Sequence, residues 1–264
     1  MDDFLTVCEH AARIGGAILL DWVDRITARA KGPKDLVTEA DLASQQAIRQ
    51  VLLSAFPDHQ FLGEETENDA KTTQTAGNPG GFRWIVDPLD GTLNYVRGMP
   101  SYSVSIALER DSNVLVGVVF DPLLDECFTA VQGRGAFLNG RPLRSSQCRS
   151  LDEALVAISF SADVPRGSVE IRRFIEVLHA AQSMRRTGSA ALNLCYVASG
   201  RLDAYFASSL KSWDVAAGVL IAREAGAVLT SLGGREFDLQ RPDLAVAATA
   251  EVHAELLQAL SRAE

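Results

Sequence analysis

A layered α+β fold in two halves is predicted for this 264-residue chain, on three observations. Apolar residues recur at helical steps up to about residue 55. Short β-rich runs separated by polar turns follow as far as residue 143, and strands then alternate with helices to the C-terminus. With 47% hydrophobic and 22% charged residues there is ample apolar surface to bury, and the length suits one large domain or two modest ones.

Each element has its own signal. Phe4, Val7, Ala11, Ile14, Ile18 and Val23 read as a long amphipathic helix over the first thirty residues, ended by Gly32-Pro33. Thr38 with Asp41 three residues on resembles a capping box and announces a second helix through Leu42, Ile48, Leu52 and Leu53, closed by Pro57. His59 to Leu62 is a short apolar run ending in Gly63-Glu64-Glu65. Residues 71–81, rich in Thr, Gly, Asn and Pro, read as a loop. Phe82 to Val86 is a strand running into Asp87-Pro88. Residues 103–108, 114–120 and 126–131 suggest an antiparallel meander, and Asn139-Gly140 marks a hairpin.

The polar run Arg144 to Ser150 places a boundary between an N-terminal half, 1–147, and a C-terminal half, 148–264. In the second half, strands at 155–160, 204–206, 227–230 and 244–248 alternate with helices at 168–181, 189–198, 215–225 and 251–262. The expectation is an antiparallel sheet with helices in the first half and a mixed sheet flanked by helices in the second.

Asp plus Glu number 34 against 25 Lys plus Arg, a net charge of −9. Such a chain lacks the broad positive field that nucleic acid or an anionic membrane needs, and it has no basic stripe with interleaved aromatics. Cations are its natural counter-charge. Cys8, Cys127, Cys148 and Cys195 are scattered, with no CxxC pair and no His at zinc-finger spacing, so they read as free thiols of a reducing cytoplasm. The start, Asp2-Asp3, is no basic signal region. Ile14 to Leu20 falls far short of the roughly 20 residues of a membrane span.

The densest chemistry lies in Trp84-Ile85-Val86-Asp87-Pro88-Leu89-Asp90-Gly91-Thr92. A buried strand delivers two carboxylates onto a turn, where Pro88 forbids simple helical continuation. Both Asp side chains and the Leu89 carbonyl can converge there, and Gly91-Thr92 open a helix whose free N–H groups suit an anion. Metal ligands beside a phosphate cradle are what hydrolysis of a phosphate ester requires. Taken alone, the same letters suit a plain turn with Asp90 capping a helix. Glu64-Glu65 likewise suits a solvated surface, or a pair with one acid inward and one in water. Trp213-Asp214, before an apolar helix, suits an N-cap aspartate with a packed Trp.

Together these clusters resemble the inositol monophosphatase family of metal-dependent, lithium-sensitive phosphatases, over nearly the whole chain. The signatures read WIVDPLDGTLNYVRG at 84–98 and WDVAAGVLIAREAGA at 213–227. KDLVTEAD (34–41), GEE (63–65), GRGAF (133–137) and RRTGSAALN (185–193) support them. The resemblance implies an αβαβα sandwich of the sugar phosphatase type, and hydrolysis of a small phosphorylated substrate by a metal-activated water. It implies two or three Mg²⁺ ions, which suit hard oxygen ligands, held by Glu64, Asp87, the Leu89 carbonyl, Asp90 and Asp214. Glu64, Thr92 and Asp41 are the implied catalytic residues. Of the implied substrate residues, Leu89, Asp90, Gly91 and Thr92 belong to the phosphate side, Gly188, Ser189, Ala190 and Ala207 to the sugar side, and Asp214 lies near the leaving group. A lysine near the second helix is expected at Lys31 or Lys34.

Ala207 stands where the animal inositol enzymes carry a Glu that binds inositol hydroxyls, and a lost charge-assisted hydrogen bond is worth about 1.5–3 kcal/mol. Inositol 1-phosphate is therefore the expected substrate by family frequency. Histidinol phosphate, fructose 1,6-bisphosphate and a 3′-phosphoadenosine nucleotide are the alternatives within the same chemistry. A non-catalytic binding or regulatory module of the same fold is a more distant one. The resemblance also implies a homodimer.

Overall fold

Three stacked apolar cores, separated by two β-sheets, organise the chain. The computed structural model describes all residues except 26–27, 33–34, 67–80, 162 and 264. The first helix, α1 (Asp2–Trp22), is shorter than the thirty residues expected. Beyond Val23 the pattern changes to small residues alternating with Arg29 and Lys31, and a two-stranded antiparallel ribbon forms instead, β1 (Ala28–Gly32) and β2 (Asp35–Thr38). The Lys31 side chain, Lys34 and nearly all of the loop expected at 71–81 lie outside the described residues. Thr38 caps α2 (Glu39–Ala55) in the expected capping box, its hydroxyl accepting from backbone N–H groups while Asp41 accepts from the Thr38 N–H.

A seven-stranded sheet follows. It comprises β3 (Gln60–Gly63), β4 (Phe82–Asp90), then, after the short helix α3 (Thr92–Val96), β5 (Ser103–Arg110), β6 (Asn113–Asp121), β7 (Glu126–Val131), β8 (Ala136–Leu138) and β9 (Arg141–Pro142). The strands lie in chain order, antiparallel throughout except for the parallel pair β3–β4. The meander and the Asn139-Gly140 hairpin stand as read from the sequence, with both turn residues at positive φ.

The second sheet is mixed, in the order β11-β10-β12-β14-β13. Its chain order is β10 (Leu155–Ser159), α4 (Val169–Ala180), β11 (Ser183–Arg185), α5 (Ala190–Ala198), β12 (Ala204–Ala207), α6 (Ser212–Glu224), β13 (Val228–Thr230), β14 (Leu244–Ala247) and α7 (Ala250–Ser261). Strand β11 was not read from the sequence, because three residues carry no period. Helix α6 begins three residues before the expected start at 215, so Trp213 and Asp214 stand inside its first turn.

Alternation along the strands sorts the cores. Trp84, Ile106 and Val118 face α1 and α2, packing on Ile48 and Leu52. Their neighbours Ile85, Ala107 and Val119 face the opposite way, onto Leu194 of α5 and Ala217 of α6. Tyr205 of β12 closes that middle core from the second sheet, and Val156, Phe206 and Leu256 build the third against α7. The order is therefore helices, sheet, helices, sheet, helices, the expected αβαβα sandwich. Helix α6 lies against the first sheet so closely that a Cβ on Gly117 would stand 2.9 Å from the Ala217 carbonyl oxygen.

Candidate active site

The bend of β4 creates the site. Asp87 pairs with Ser105 of β5, and Asp90 pairs with Ser103, so three steps on one strand match two on the other. The extra residue is a β-bulge, a position that tolerates Pro88 and its missing N–H. In a regular strand residues three apart face opposite ways. The bulge brings Asp87 and Asp90 to the same face, the one that carries Ile85 and looks toward α5 and α6. The turn is held from behind by Ser44 of α2, whose hydroxyl donates to the Pro88 carbonyl at 3.1 Å. Gly91 sits at φ +95°, and a Cβ there would meet the Ser101 carbonyl oxygen at 2.8 Å, so glycine is required for the chain to enter α3.

Each carboxylate is held by protein donors. Asp87 accepts the Leu89 N–H at 3.0 Å. Asp90 caps the N-terminus of α5: Oδ1 accepts from the Ala190 N–H at 3.2 Å, and Oδ2 from the Ala191 N–H at 2.9 Å and from the Ser189 hydroxyl. Asp90 does cap a helix, then, but one a hundred residues away and not the one that follows it. Asp214 accepts the Lys211 N–H at 2.8 Å from the third position of α6, with Lys211 as N-cap. Asp41 accepts from the Thr38 N–H and hydroxyl, and the Thr92 hydroxyl lies 3.4 Å from its other oxygen and 3.1 Å from the Leu89 carbonyl.

The acids crowd one another. Burial, then the charges of Glu64, Asp90 and Asp214, push the Asp87 carboxyl well above the usual range. Asp214 is pushed up to about 8, by burial first, against the Lys211 N–H that favours its charge, with Asp90 and Glu64 adding to the rise. Burial also raises Asp90, while the donors of Ser189, Ala191 and Ala190 oppose it. Asp41 rises to about 6, burial outweighing the Thr38 hydrogen bonds. Among the described residues no three acidic, His or Cys side chains are drawn into one ligand cluster. The donor set still fits a hard divalent ion, because four mutually repelling carboxylates with only oxygen donors need a cation. Neither His nor Cys belongs to it.

Comparison with known proteins gives the family. The chain matches the inositol monophosphatase family over residues 1–264. The chain belongs to that family. Inositol monophosphatase 2 of Solanum lycopersicum is 41% identical, with all of both chains covered. The Nus factor SuhB of Haemophilus influenzae is 39% identical over 97% of this chain and 95% of that one. The solved extragenic suppressor protein suhB of Bartonella henselae superposes with a TM-score of 0.90 at 35% identity, covering 98% of this chain and 99% of that one. As an inositol monophosphatase family member the chain is a metal-dependent phosphomonoesterase, and the family uses divalent ions.

Against the sequence expectation, Glu64 and Glu65 do not divide between interior and water. Both are half-buried on a single 3₁₀ turn, Glu64 acting on Asp87 and Asp214, and Glu65 on Asp41. Gly188 is exposed at φ +94°, Ser189 and Ala190 are buried around Asp90, and Ala207 lies in the middle core at the end of β12. Ser44 and Tyr205 went unread. Tyr205 feels the charges of Asp90 and Asp214 and donates to Ser159 at 2.9 Å, but a tyrosine in a four-residue apolar strand carries no signal of its own.

Proposed function

We propose that the chain hydrolyses a small polyol or sugar phosphate, myo-inositol 1-phosphate first among them, with Mg²⁺ at Glu64, Asp87, the Leu89 carbonyl, Asp90 and Asp214. The observation that carries this reading is the bulge of β4, which aims Asp87 and Asp90 at one face opposite Asp214. When bound, the ions lower the pKa of water and neutralise charge on the attacking and leaving oxygens. The protein's own part is positioning. Glu64 and the Thr92 hydroxyl orient the attacking water, and Asp41 backs Thr92 as an acceptor. The Gly91 and Thr92 N–H groups hold phosphate oxygens, and Asp214 stands on the leaving-group side.

Two or three ions, lithium sensitivity, a homodimer and a cytoplasmic setting belong to the same reading. The four free cysteines support the last of these. Among the described residues no helix is long and apolar enough to cross a membrane. The halves 1–147 and 148–264 are supported by the separation of the two sheets along the chain. The likeness to a Nus factor favours one second reading, a contact with another protein on the same fold.

The test is Mg²⁺-dependent phosphate release from a panel of phosphomonoesters, with Asp90→Asn as control. Inositol 1-phosphate should lead, and the variant should stay folded while losing turnover by at least about a hundredfold. Histidinol phosphate winning by a hundredfold would remove the inositol assignment, and an unchanged Asp90→Asn rate would remove the mechanism.

A further inference from the structure

The connections of the second sheet leave a crevice. From β10 the chain passes through α4 to β11 on one side, then through α5 to β12 on the other side of β10. Strands β10 and β12 are parallel, with Ser159 beside Ala207 at their carboxyl ends. Adjacent parallel strands whose connections leave in opposite directions open a crevice at their carboxyl ends, the usual ligand position in open α/β sheets. This one lies next to the reaction centre. Ser189, which donates to Asp90, begins α5, and the loop after β12 enters the first turn of α6 with Asp214.

One carboxylate bridges the crevice. Glu170, in the first turn of α4, accepts the Ser161 hydroxyl from beyond β10 at 2.8 Å, and the Ser208 hydroxyl from beyond β12. Ser208 follows directly on the end of β12 and Ser161 lies two residues beyond that of β10, and Glu170 and both serines are only half-buried. An ionised carboxylate has about four acceptor positions, so two serine donors leave capacity for donors from a ligand. Ala207, buried beside Ser208, brings no polar group of its own.

We infer that Glu170 is the specificity-determining residue for the alcohol part of the ester, accepting hydrogen bonds from free hydroxyls of a polyol seated at the ends of β10 and β12. This rests on the phosphomonoesterase reading above and adds the group that reads the leaving alcohol. A site built to accept hydroxyl donors discriminates strongly against esters that lack them.

The experiment compares wild type, Glu170→Gln and Ser208→Ala on three probes: myo-inositol 1-phosphate, p-nitrophenyl phosphate, which has no free hydroxyl, and phosphoethanolamine, which brings an ammonium. Glu170→Gln should raise KM for inositol 1-phosphate at least tenfold with kcat within about threefold, and leave KM for p-nitrophenyl phosphate within twofold. Ser208→Ala should move KM the same way by less. Mg²⁺ affinity by calorimetry should stay unchanged in both. A parallel loss on inositol 1-phosphate and p-nitrophenyl phosphate, or no KM change, overturns the assignment. Phosphoethanolamine as the ester most impaired would overturn the polyol. Wild type inactive on all three with Mg²⁺ would remove the phosphomonoesterase reading, and this one with it.

Discussion

Asp214 and Asp87 both hold protons more tightly than free carboxylates do, because burial and neighbouring acids penalise their charge. A divalent ion must displace those protons, so proton and ion compete. Mg²⁺ affinity should therefore rise as pH climbs from 6 to 8, the upper end set by Asp214 at about 8. Calorimetric titrations at several pH values would check this, and affinity that is flat or falls with pH would contradict it. Every acid of this group was legible in the sequence, since Asp87, Asp90 and Asp214 sit in the two long signatures and Glu64 in the short GEE motif. Their immediate partners were not. Nothing near Asp90 in the chain announces Ser189, Ala190 or Ala191, which reach it only after the middle core has formed.

Helix α6 is the element that brings Asp214 to the site, and its approach is set by a glycine on the facing strand. Gly117 has no room for a Cβ against the Ala217 carbonyl oxygen, a backbone atom that cannot swing aside. Gly117→Val should cost about 1–3 kcal/mol as overpacking. It should also weaken Mg²⁺ binding, because α6 must shift away from β6. Urea unfolding measures the first and calorimetry the second; normal values for both would show that the helix tolerates displacement. Capping and turn chemistry made most elements readable, as at Thr38 and Asn139-Gly140. The β1–β2 ribbon and β11 were lost because ARAKG, DLVT and SMR mix charged and small residues with too few β-branched or aromatic ones to mark a strand.

Across the whole molecule the outer core offers a pH handle away from the acids. His253 of α7 is buried, with a ring nitrogen 3.1 Å from the Thr230 hydroxyl, and burial lowers its pKa below the usual 6.5. The unfolded chain then binds the proton more readily than the folded one does. Stability contributed by neutral His253 is present above about pH 6.5 and is lost as pH falls from there toward the lowered folded value. The raised carboxyls Asp214 and Asp41 gain stability as pH falls over the same range, so the comparison with His253→Gln carries the test. From pH 7.5 to 5.5 the wild-type melting temperature should fall more, or rise less, than that of the variant. An identical change in both proteins would remove His253 as a pH handle. The layering was legible from the order of strand and helix signals. The stacking of the two sheets around α5 and α6 was not, since pairing across a hundred residues leaves no local trace.

The bulge at Pro88 also makes the active site a matter of parity. Strand β4 takes three steps, an odd number, from one aspartate to the other where a regular strand would need an even one, and the bulge corrects the sum. A chain of the same letters with the surplus residue absorbed elsewhere, and β4 regular from Asp87 to Asp90, could keep both acids, the same composition and nearly the same sheet. Asp87 and Asp90 would then look out from opposite sides of that sheet, one toward α6 and the other into the apolar layer under α1. Loss of function in such a lineage would leave no missing letter to find, only a miscount.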